Sequence, residues 1–497
     1  MSRNTSHVPE FFLPSSNLIF LADGEKRFTY GDLYQFAHQL ESEARRLHIS
    51  ESNPLLIYSE PSAESVFLIA AAFLSKTPIL SLHPETSNAE LNNILDLIKP
   101  AAFFGSGESH QDFTNNTPAL KISPEFDSQN SDSELIKFQF DAPDQVAGYF
   151  LTSGSTGTPK IVPVKRRQVF FAAKASSDNI KPAENKYWLL CLPLNHVGGI
   201  NVIYRSLLYN SAIYLAQSFD ADRIHSLLNE NKDFEAASMV PTMLDMLLVN
   251  SFFRVQFNFK GLLLGGGPIS MDLINRSLTR GIPIVTSYGM TETCAQIAAN
   301  PMLKPRGDYT PKQSVGRIFE PNQIEIRTES GQALPYNESG VIWLKGPQVF
   351  DGYLDESHNK GAFDFDGWLN TGDYGHLNRK NQLFIENRRT DLIITGGENV
   401  NPAEVEEWLL KQNEIREAAV VGIPDKKWGQ KVVAFLVVDP DTFDMDSLKT
   451  ELKEQVRRYK IPKEIILTQS LPKTDTLKVK KGELLKIYNK QFNNESS

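Results

Sequence analysis

Short apolar runs alternate with helical stretches from Phe28 to Thr286, and this alternation constrains the fold more than any other feature of the sequence. Runs of this length, separated by helices, are typical of strands joined by crossover connections. The pattern therefore predicts parallel α/β sheets. The strands are predicted at Leu55–Tyr58, Ile79–Leu82, Ala102–Phe104, Tyr149–Leu151, Trp188–Leu192, Ala212–Leu215, Gly261–Leu264 and Pro283–Thr286.

The pattern changes after residue 315, where short strands are separated by turns and no long helix intervenes. This predicts a smaller β-rich subdomain with strands at Gln323–Arg327, Gly340–Lys345 and Gln382–Ile385. A last α+β unit follows, so we predict two domains, residues 1–388 and 389–497. The last unit has predicted strands at Ala418–Val421 and Val432–Val438 and predicted helices from Pro402, at Met445–Arg458 and at Lys481–Tyr488.

Composition excludes several classes of protein. A chain of 497 residues exceeds one compact core, and 41% apolar with 22% charged residues is typical of a globular protein. The net charge of −9 argues against nucleic acid as a partner. The apolar stretch Val66–Leu74 is too short to cross a bilayer and predicts a buried helix. Only Cys191 and Cys294 are present, and no signal peptide is evident, so we expect a reducing cytoplasm.

A loop rich in glycine and hydroxyl side chains follows the strand at Tyr149–Leu151. Its glycines allow backbone N–H groups to approach an anion, and Lys160 adds positive charge. The residue order is not that of a Walker loop, so we predict another kind of phosphate-binding loop, with a flexible linker as the alternative. The loop consists of Thr152, Ser153, Gly154, Ser155, Thr156, Gly157, Thr158, Pro159 and Lys160.

Glu292 follows Thr291 beyond a predicted strand, where a carboxylate beside hydroxyls suits Mg²⁺ held with nucleotide phosphates. Another strand ends in three glycines, which remove side chains from a cleft unless they form only a tight turn. These glycines are Gly265, Gly266 and Gly267.

Asp373 follows Thr371-Gly372 and could accept hydrogen bonds from two ribose hydroxyls, although an aspartate in a turn is the commoner case. The C-terminal unit contributes two more segments. Arg388 precedes a loop containing Gly396 and Gly397, a pattern that indicates an interdomain swivel. Lys478 lies in a lysine-rich segment, and such segments usually form a solvated face.

Taken in order, these segments resemble those of the acyl-adenylate-forming superfamily, which includes acyl- and aryl-CoA ligases, peptide-synthetase adenylation domains and beetle luciferase. The resemblance runs from Phe28 to Leu485. It implies a large N-terminal domain, with two sheet-and-helix subdomains and a small β subdomain, and a small mobile C-terminal lid. It also implies that ATP and CoA are reactants and that Mg²⁺ is a cofactor.

Roles for individual residues follow from the same resemblance. Ser153–Lys160 would hold the β- and γ-phosphates of ATP, and Glu292 with Thr291 would bind Mg²⁺. Tyr288 and the three glycines Gly265, Gly266 and Gly267 would flank the adenine.

The remaining implied roles concern the ribose, the acyl group and CoA. Asp373 and Arg388 would hold the ribose hydroxyls. Lys478 would bridge the acyl carboxylate and the α-phosphate. The loop at Gly396 and Gly397 would line the pantetheine channel.

Within the superfamily, the sequence looks most similar to the o-succinylbenzoate–CoA ligases of menaquinone and phylloquinone synthesis, through Leu192–Gly199, Leu264–Pro268, Ser287–Thr293 and Ile394–Asn399. His196 would then gate or line the acyl pocket, unless it is an ordinary core histidine. We predict that Arg205 anchors a second carboxylate, because arginine pairs bidentately with carboxylates; a surface salt bridge is the alternative.

Three positions depart from the superfamily pattern, the first being Thr390, which stands at the hinge where many members carry Asp or Lys. Asn195 replaces an aromatic residue, and Leu477 replaces a glycine.

Other functions stay open at this point. The chain could be another aryl- or fatty-acid–CoA ligase, or it could load a separate carrier protein. A nucleotide sensor on the same fold is a third reading, which intact Glu292, Asp373 and Lys478 oppose. A homo-oligomer is compatible with the sequence.

Overall fold

The computed structural model describes residues 8–105, 111–122, 138–152, 160–305, 314–388, 393–395, 398–425, 428–440, 442–455, 458–474 and 477–492. The chain divides into two compact units. The first contains Met1–Glu325, Trp343–Asn370 and Asn381–Leu383, and the second contains Ile326–Ile342, Thr371–Lys380 and Phe384–Ser497.

The described residues form strands and helices in the following order. The strands are β1 Ile19–Asp23, β2 Lys26–Thr29, β3 Leu55–Tyr58, β4 Ile79–Leu82, β5 Ala102–Phe104, β6 Val146–Thr152, β7 Lys160–Lys165, β8 Tyr187–Leu190, β9 Ala212–Leu215, β10 Phe234–Met239, β11 Gly261–Leu264, β12 Ile284–Met290, β13 Ala295–Ala299, β14 Arg317–Ile318, β15 Gln323–Arg327, β16 Gly340–Lys345, β17 Leu369–Leu377, β18 Leu383–Arg388, β19 Ile393–Thr395, β20 Glu398–Val400, β21 Ile415–Asp425, β22 Gly429–Val438 and β23 Glu464–Leu467. The helices are α1 Tyr30–Arg46, α2 Ala63–Leu74, α3 Asn88–Leu95, α4 Gln111–Asn116, α5 Arg166–Ser177, α6 Val197–Tyr209, α7 Ala221–Glu230, α8 Pro241–Val249, α9 Met271–Thr279, α10 Pro402–Leu409, α11 Met445–Gln455 and α12 Lys481–Phe492.

Two mixed sheets build the first unit. One has the strand order β5-β3-β4-β6-β7 and the other β14-β13-β12-β11-β10-β8-β9-β1-β2. Their central strands pair in parallel, whereas β7, β13, β14 and β2 pair antiparallel at the edges. Parallel strands require crossover helices, which explains the alternation in the sequence. The α/β prediction is confirmed.

Helix α2 explains the most apolar stretch of the chain. It is buried along nearly its whole length. The ring of Phe67 lies 5.3 Å from those of Phe20 and Phe28 and 5.8 Å from that of Phe36. A helix surrounded by protein can be apolar on every side, so the prediction of a buried helix here is confirmed. Among the described helices, none is both long and apolar enough to span a membrane.

Strands β15 to β18 form a separate sheet in chain order. The second unit also contains a sheet of order β20-β19-β22-β21, with β23 parallel to β22. Alternate residues of β22 enter two cores on opposite faces. Val432 and Ala434 pack with residues of α10 and α11, whereas Val433 and Phe435 pack with residues of α12. This two-residue period is that of a strand covered on both sides.

The strand predictions are confirmed with small shifts at their ends. The strand predicted at Trp188–Leu192 ends at Leu190, two residues earlier, before the turn that leads to α6. The sequence analysis missed the hairpin of β1 and β2 and the strands β7, β10, β13, β14, β17, β19, β20 and β23. The polar excursion predicted at 107–145 lies largely outside the described residues.

Candidate active site

The predicted phosphate-binding loop connects two paired strands. Thr152 at the end of β6 lies opposite Lys160 at the start of β7 in the antiparallel register. The two ends of the loop are therefore held together by a strand ladder. Residues 153–159, from Ser153 to Pro159, lie outside the described residues, so their phosphate contacts stay a prediction.

Glu292 is brought next to Lys160 by tertiary structure. It lies in a short 3₁₀ turn, Thr291–Thr293, directly after β12, and it is 5% exposed. The hydroxyl of Tyr353 donates to Glu292 Oε1 at 2.7 Å, and Lys160 Nζ lies 4.8 Å from the centre of the Tyr353 ring. Lys160, predicted to bind phosphate, and Glu292, predicted to bind Mg²⁺, therefore both contact Tyr353.

The turn that carries Glu292 depends on a glycine. A Cβ on Gly289 would lie 1.8 Å from the carbonyl oxygen of Ala295, on the strand that returns from the turn. Cys294 closes the turn with φ of 51°. Only glycine permits this close approach between β12 and β13, and the approach fixes the turn between the two strands.

The glycines at the end of β11 lie beside the end of β12. Leu264 and Thr286 are partners in the parallel register, so Gly265 faces the backbone near Ser287 and Tyr288. A Cβ on Gly265 would lie 2.9 Å from Ser287 Oγ, and Ser287 donates to the carbonyl of Leu264 at 2.8 Å. Tyr288 itself is 9% exposed. The structure therefore brings the start of the glycine segment close to Tyr288, as the adenine assignment requires.

Gly266 differs from Gly265 and Gly267, which are half-buried. It is exposed and has φ of 78°, in the left-handed region. A Cβ on Gly266 would meet only Val240 Cγ1, at 3.5 Å, which is ordinary contact. Gly266 therefore serves the sharp turn that was the predicted alternative, and the expectation that the three glycines make room in a cleft stays a prediction. The place of Gly266 beside the adenine also stays a prediction.

His196 precedes the first turn of α6. It occupies the N-cap position, and Asn195 Nδ2 lies 3.4 Å from His196 Nε2. The helix packs very closely on the preceding segment at this point, because a Cβ on Gly199 would lie 2.2 Å from the carbonyl oxygen of Pro193.

Asn201, further along α6, ties the helix to the turn of Glu292. Its Nδ2 donates to Val197 O at 2.8 Å and to Cys294 O at 3.4 Å. Cys294 directly follows the turn Thr291–Thr293. The start of α6 and the acidic turn are therefore held in one arrangement.

Arg205 lies one helical turn beyond Asn201 and is 2% exposed. Its guanidinium carbon lies 5.4 Å from the centre of the Trp188 ring. Within the described part of the chain, Arg205 Nε and Nη1 are buried without a hydrogen-bond partner. Burial lowers the pKa of Arg205, an effect that Tyr209 and Cys294 oppose. The predicted alternative, a surface salt bridge, does not fit a buried side chain.

The two residues predicted to hold the ribose lie in the second unit. Asp373 in β17 is 5% exposed, and its backbone N–H donates to Thr371 Oγ1 at 3.1 Å. Thr371 Oγ1 donates in turn to Ile342 O at 2.8 Å. Arg388 is the last residue of β18. Gly396 and Gly397 lie outside the described residues, between β19 and β20.

Lys478 is presented on a tight turn and is exposed. The N–H of Thr474 donates to Lys478 O at 2.7 Å, and the N–H of Lys478 donates to Thr474 Oγ1 at 3.2 Å. Leu477 has φ of 58°, in the left-handed region that favours glycine. This conformation suits the glycine that the superfamily resemblance implies before the lysine.

The residues present fit Mg²⁺ held with a nucleotide. Among the described residues there is no group of three or more His, Cys, Asp or Glu side chains that could enclose a metal ion. Mg²⁺ is commonly held by one or two carboxylates together with substrate phosphates and water. A single buried carboxylate, Glu292, beside a lysine suits that arrangement.

Tyr353 is the residue that the sequence reasoning missed. It lies in an irregular segment after Gly352, beyond the motifs considered, and no local periodicity marks it. An aromatic residue after a glycine in a polar loop was the only available signal.

Parallel sheets whose strand ends carry glycine-rich and acidic turns define a nucleotide-binding α/β enzyme. The chain belongs to the AMP-binding enzyme family, whose profile matches residues 14–354. The profile of the C-terminal domain of AMP-binding enzymes matches residues 404–478.

Individual proteins are similar to this chain as well. The 2-succinylbenzoate–CoA ligase of Enterococcus faecalis is 32% identical, over 93% of this chain and 94% of that protein. The Listeria monocytogenes protein of the same name is 36% identical, over 72% of this chain and 75% of that protein.

Solved structures are also similar. The o-succinylbenzoate CoA synthetase of Bacillus subtilis, in complex with its acyl-adenylate intermediate, has a TM-score of 0.81 and 30% identity over 94% of this chain and 95% of that chain. ATP-bound MatB from Rhodopseudomonas palustris, with a TM-score of 0.85 and 24% identity over 97% of both chains, shares the fold.

Proposed function

We propose that this chain is an ATP-dependent acid–CoA ligase that converts 2-succinylbenzoate to its CoA thioester through an acyl-adenylate. The identity of about a third with ligases of that name, over most of the chain, supports the reaction. The observation that carries the choice of substrate is the buried guanidinium of Arg205, whose Nε and Nη1 have no hydrogen-bond partner among the described residues.

The nucleotide would occupy the strand ends of the first unit. The loop Ser153–Lys160 would surround the β- and γ-phosphates, and Gly265–Gly267 with Tyr288 would flank the adenine. Glu292 with Thr291 would hold Mg²⁺, which neutralises phosphate charge when bound. We assign the ribose hydroxyls to Asp373 and Arg388.

The first half-reaction forms the acyl-adenylate. A carboxylate oxygen of the acid attacks the α-phosphorus of ATP, and the bond to pyrophosphate breaks. Lys160 and Lys478 would stabilise the negative charge that develops on the phosphates, and the surrounding groups would align the two reactants. Thr152, at the start of the loop, would help to position the phosphates.

The second half-reaction forms the thioester. The CoA sulfur attacks the acyl carbonyl carbon, the thiol proton passes to solvent, and AMP leaves. Lys478 would have no role in this step, and the loop at Gly396 and Gly397 would line the pantetheine channel. We propose residues 1–388 and 389–497 as the two domains that rearrange between the steps, and the cytoplasm as the compartment, since both cysteines are free thiols.

Arg205 would bind the second carboxylate of the substrate. A buried guanidinium with unsatisfied N–H groups costs free energy, and a carboxylate that accepts from Arg205 would reduce that cost. His196, at the start of the same helix, would line the acyl pocket. A dicarboxylic aromatic acid matches both features, whereas a fatty acid would leave the charge on Arg205 unpaired.

The test is AMP release with ATP, Mg²⁺ and CoA against 2-succinylbenzoate, benzoates, cinnamates and fatty acids. Selective turnover of 2-succinylbenzoate is expected. Turnover of another acid alone would keep the ligase mechanism and reject the substrate, and transfer only to a carrier protein would reject CoA as acceptor.

Arg205→Ala provides the sharper test of the anchor. Loss of charge-assisted hydrogen bonds should raise KM for 2-succinylbenzoate by about 10- to 100-fold. KM for a monocarboxylic benzoate, where it is turned over, should change little. Unchanged ATP affinity serves as the control for folding, and an unchanged KM for 2-succinylbenzoate would reject the anchor.

A further inference from the structure

Tyr353 contacts both groups that would act on the triphosphate. Its hydroxyl donates to Glu292 Oε1 at 2.7 Å, and its ring lies 4.8 Å from Lys160 Nζ. A hydrogen bond to a carboxylate fixes the direction of its oxygens, and an aromatic face attracts an ammonium group. One side chain therefore influences the position of two charged groups.

The backbone around Tyr353 is bonded to the same two places. The N–H of Phe350 donates to the carbonyl of Glu292 at 2.9 Å, and the N–H of Leu354 donates to the carbonyl of Ile161, next to Lys160, at 3.0 Å. The segment Phe350–Leu354 therefore links the acidic turn to the start of β7.

Tyr353 is itself held firmly. Its N–H donates to Asn359 Oδ1 at 2.7 Å, and Asn359 Nδ2 donates back to Tyr353 O at 3.1 Å. Its ring packs edge-on against Phe350, with 4.8 Å between the ring centres.

Ion pairs fix the neighbouring part of the segment. Asp351 forms ion pairs with Lys165 at 2.9 Å and with Arg167 at 2.8 Å. A side chain supported in this way has little freedom to adjust, so it can define the positions of its partners.

We propose that Tyr353 is a positioning residue for the triphosphate site. Its hydroxyl orients Glu292 toward Mg²⁺, and its ring holds Lys160 where the phosphates bind. This inference rests on the proposed function, because it assumes that Glu292 and Lys160 serve Mg²⁺ and ATP.

The size of the effect follows from known metal sites. Groups that orient a metal ligand through a hydrogen bond typically contribute 10- to 100-fold to metal affinity or activity. Removing the hydroxyl alone should therefore weaken the use of Mg²⁺ while the ring still supports Lys160.

The experiment compares the full-length wild-type protein with Tyr353→Phe and Tyr353→Leu. Equilibrium titration with ATP at a series of Mg²⁺ concentrations gives the Mg²⁺ midpoint without any acid substrate. We expect Tyr353→Phe to raise that midpoint by about 10-fold and to leave ATP affinity without Mg²⁺ unchanged. Tyr353→Leu, which also removes the ring, should weaken ATP binding even without Mg²⁺.

Tyr34→Phe is the matched control. It removes another hydroxyl, which donates to Pro14 O at 2.6 Å from helix α1, so its Mg²⁺ midpoint should equal that of the wild type. A wild-type midpoint in Tyr353→Phe would overturn the proposal.

A half-reaction assay separates positioning from general damage. Tyr353→Phe should convert preformed acyl-adenylate and CoA at the wild-type rate, since that step needs no triphosphate. An equal loss in this step and in adenylation would indicate a structural role and reject the inference. If the wild type binds ATP but uses no tested acid, the substrate proposal fails while the titration still tests Tyr353.

Discussion

Leu477 adopts a backbone conformation that favours glycine, the residue that the superfamily resemblance implies at this position. Its φ of 58° is uncommon for any residue except glycine. Its N–H donates to Thr474 O at 2.8 Å, and the surrounding turn presents Lys478. The side chain therefore carries a conformational cost at a position that the proposed adenylation step needs.

This cost leads to a prediction for two substitutions. Leu477→Gly should change the free energy of unfolding by less than about 1 kcal/mol, because relief of strain offsets the added freedom of the unfolded chain. Leu477→Val should destabilise by about 1 to 2 kcal/mol, since a β-branched residue tolerates positive φ poorly. Denaturant unfolding of both variants gives the comparison, and equal destabilisation by the two would contradict the argument.

At the residue scale, burial also changes the pKa of the two cysteines. Burial raises the pKa of Cys191 to about 12, and burial raises the pKa of Cys294 to about 11. Both thiols are therefore neutral at physiological pH and behave as small apolar side chains. Neither has the low pKa of a reactive cysteine.

Among the elements, helix α6 connects several residues of the candidate site. It begins after His196, is tied to the acidic turn through Asn201, and places Arg205 against Trp188. The positions of His196, Asn201 and Arg205 therefore all depend on the position of this helix. That position is set where Gly199 meets the backbone of Pro193.

The two adjacent glycines of α6 give a matched pair of substitutions. Gly199→Ala should destabilise by about 1 to 3 kcal/mol, because its Cβ would overlap the carbonyl of Pro193. It should also raise KM for the acid. Gly198→Ala meets nothing closer than Leu192 Cδ1 at 3.6 Å and should be neutral or stabilising by about 0.5 kcal/mol. Thermal unfolding and acid titration of both variants test this, and a neutral Gly199→Ala would show that the helix position is adjustable.

At the scale of the whole molecule, the residues that we assign to the reaction belong to both compact units of the chain. The first contains Lys160, Glu292 and Arg205, and the second contains Asp373 and Lys478. In the domain division that we propose, between residues 388 and 389, Lys478 alone of these residues lies in the C-terminal domain, as suits a group that one half-reaction needs and the other does not.

Lys478→Ala tests that division. Loss of the lysine should reduce adenylation by at least about 100-fold, because its charge would stabilise the transition state only in that step. Thioester formation from preformed acyl-adenylate should stay within a few-fold of wild type. Pyrophosphate release and thioester formation, measured separately, give the two rates. Equal losses would place Lys478 in both steps.

Elements formed by short-range effects were predictable. The boundaries of β3, β4, β9 and β11 follow from apolar runs between helices. The capping box of α1 is equally local, because the side chains of Thr29 and Asp32 accept from each other's backbone N–H at 3.2 and 2.7 Å. The missed β1–β2 hairpin has little distinctive pattern, and it is stabilised by pairing with β9, which is distant in the chain.

The glycine segment after β11 shows where prediction from local sequence stops. Three consecutive glycines indicated both a turn and an open strand end, and the sequence did not say which glycine serves which purpose. In the folded chain Gly266 adopts the positive φ of the turn, whereas Gly265 lies against Ser287 of the neighbouring strand. The difference depends on which strand lies beside β11, and that strand is more than 20 residues away along the chain.

The sequence by itself determined the α/β class, the strands of the apolar runs, the helices α2, α10, α11 and α12, and the segments that carry candidate chemistry, because periodicity and turn residues act over a few positions. Only the tertiary structure decided that Tyr353 joins Lys160 to Glu292 and that Arg205 is buried against Trp188. These contacts depend on strand order and helix packing between residues far apart in the chain. Local sequence preferences do not specify such distances, so the geometry of the site emerged only from the folded chain.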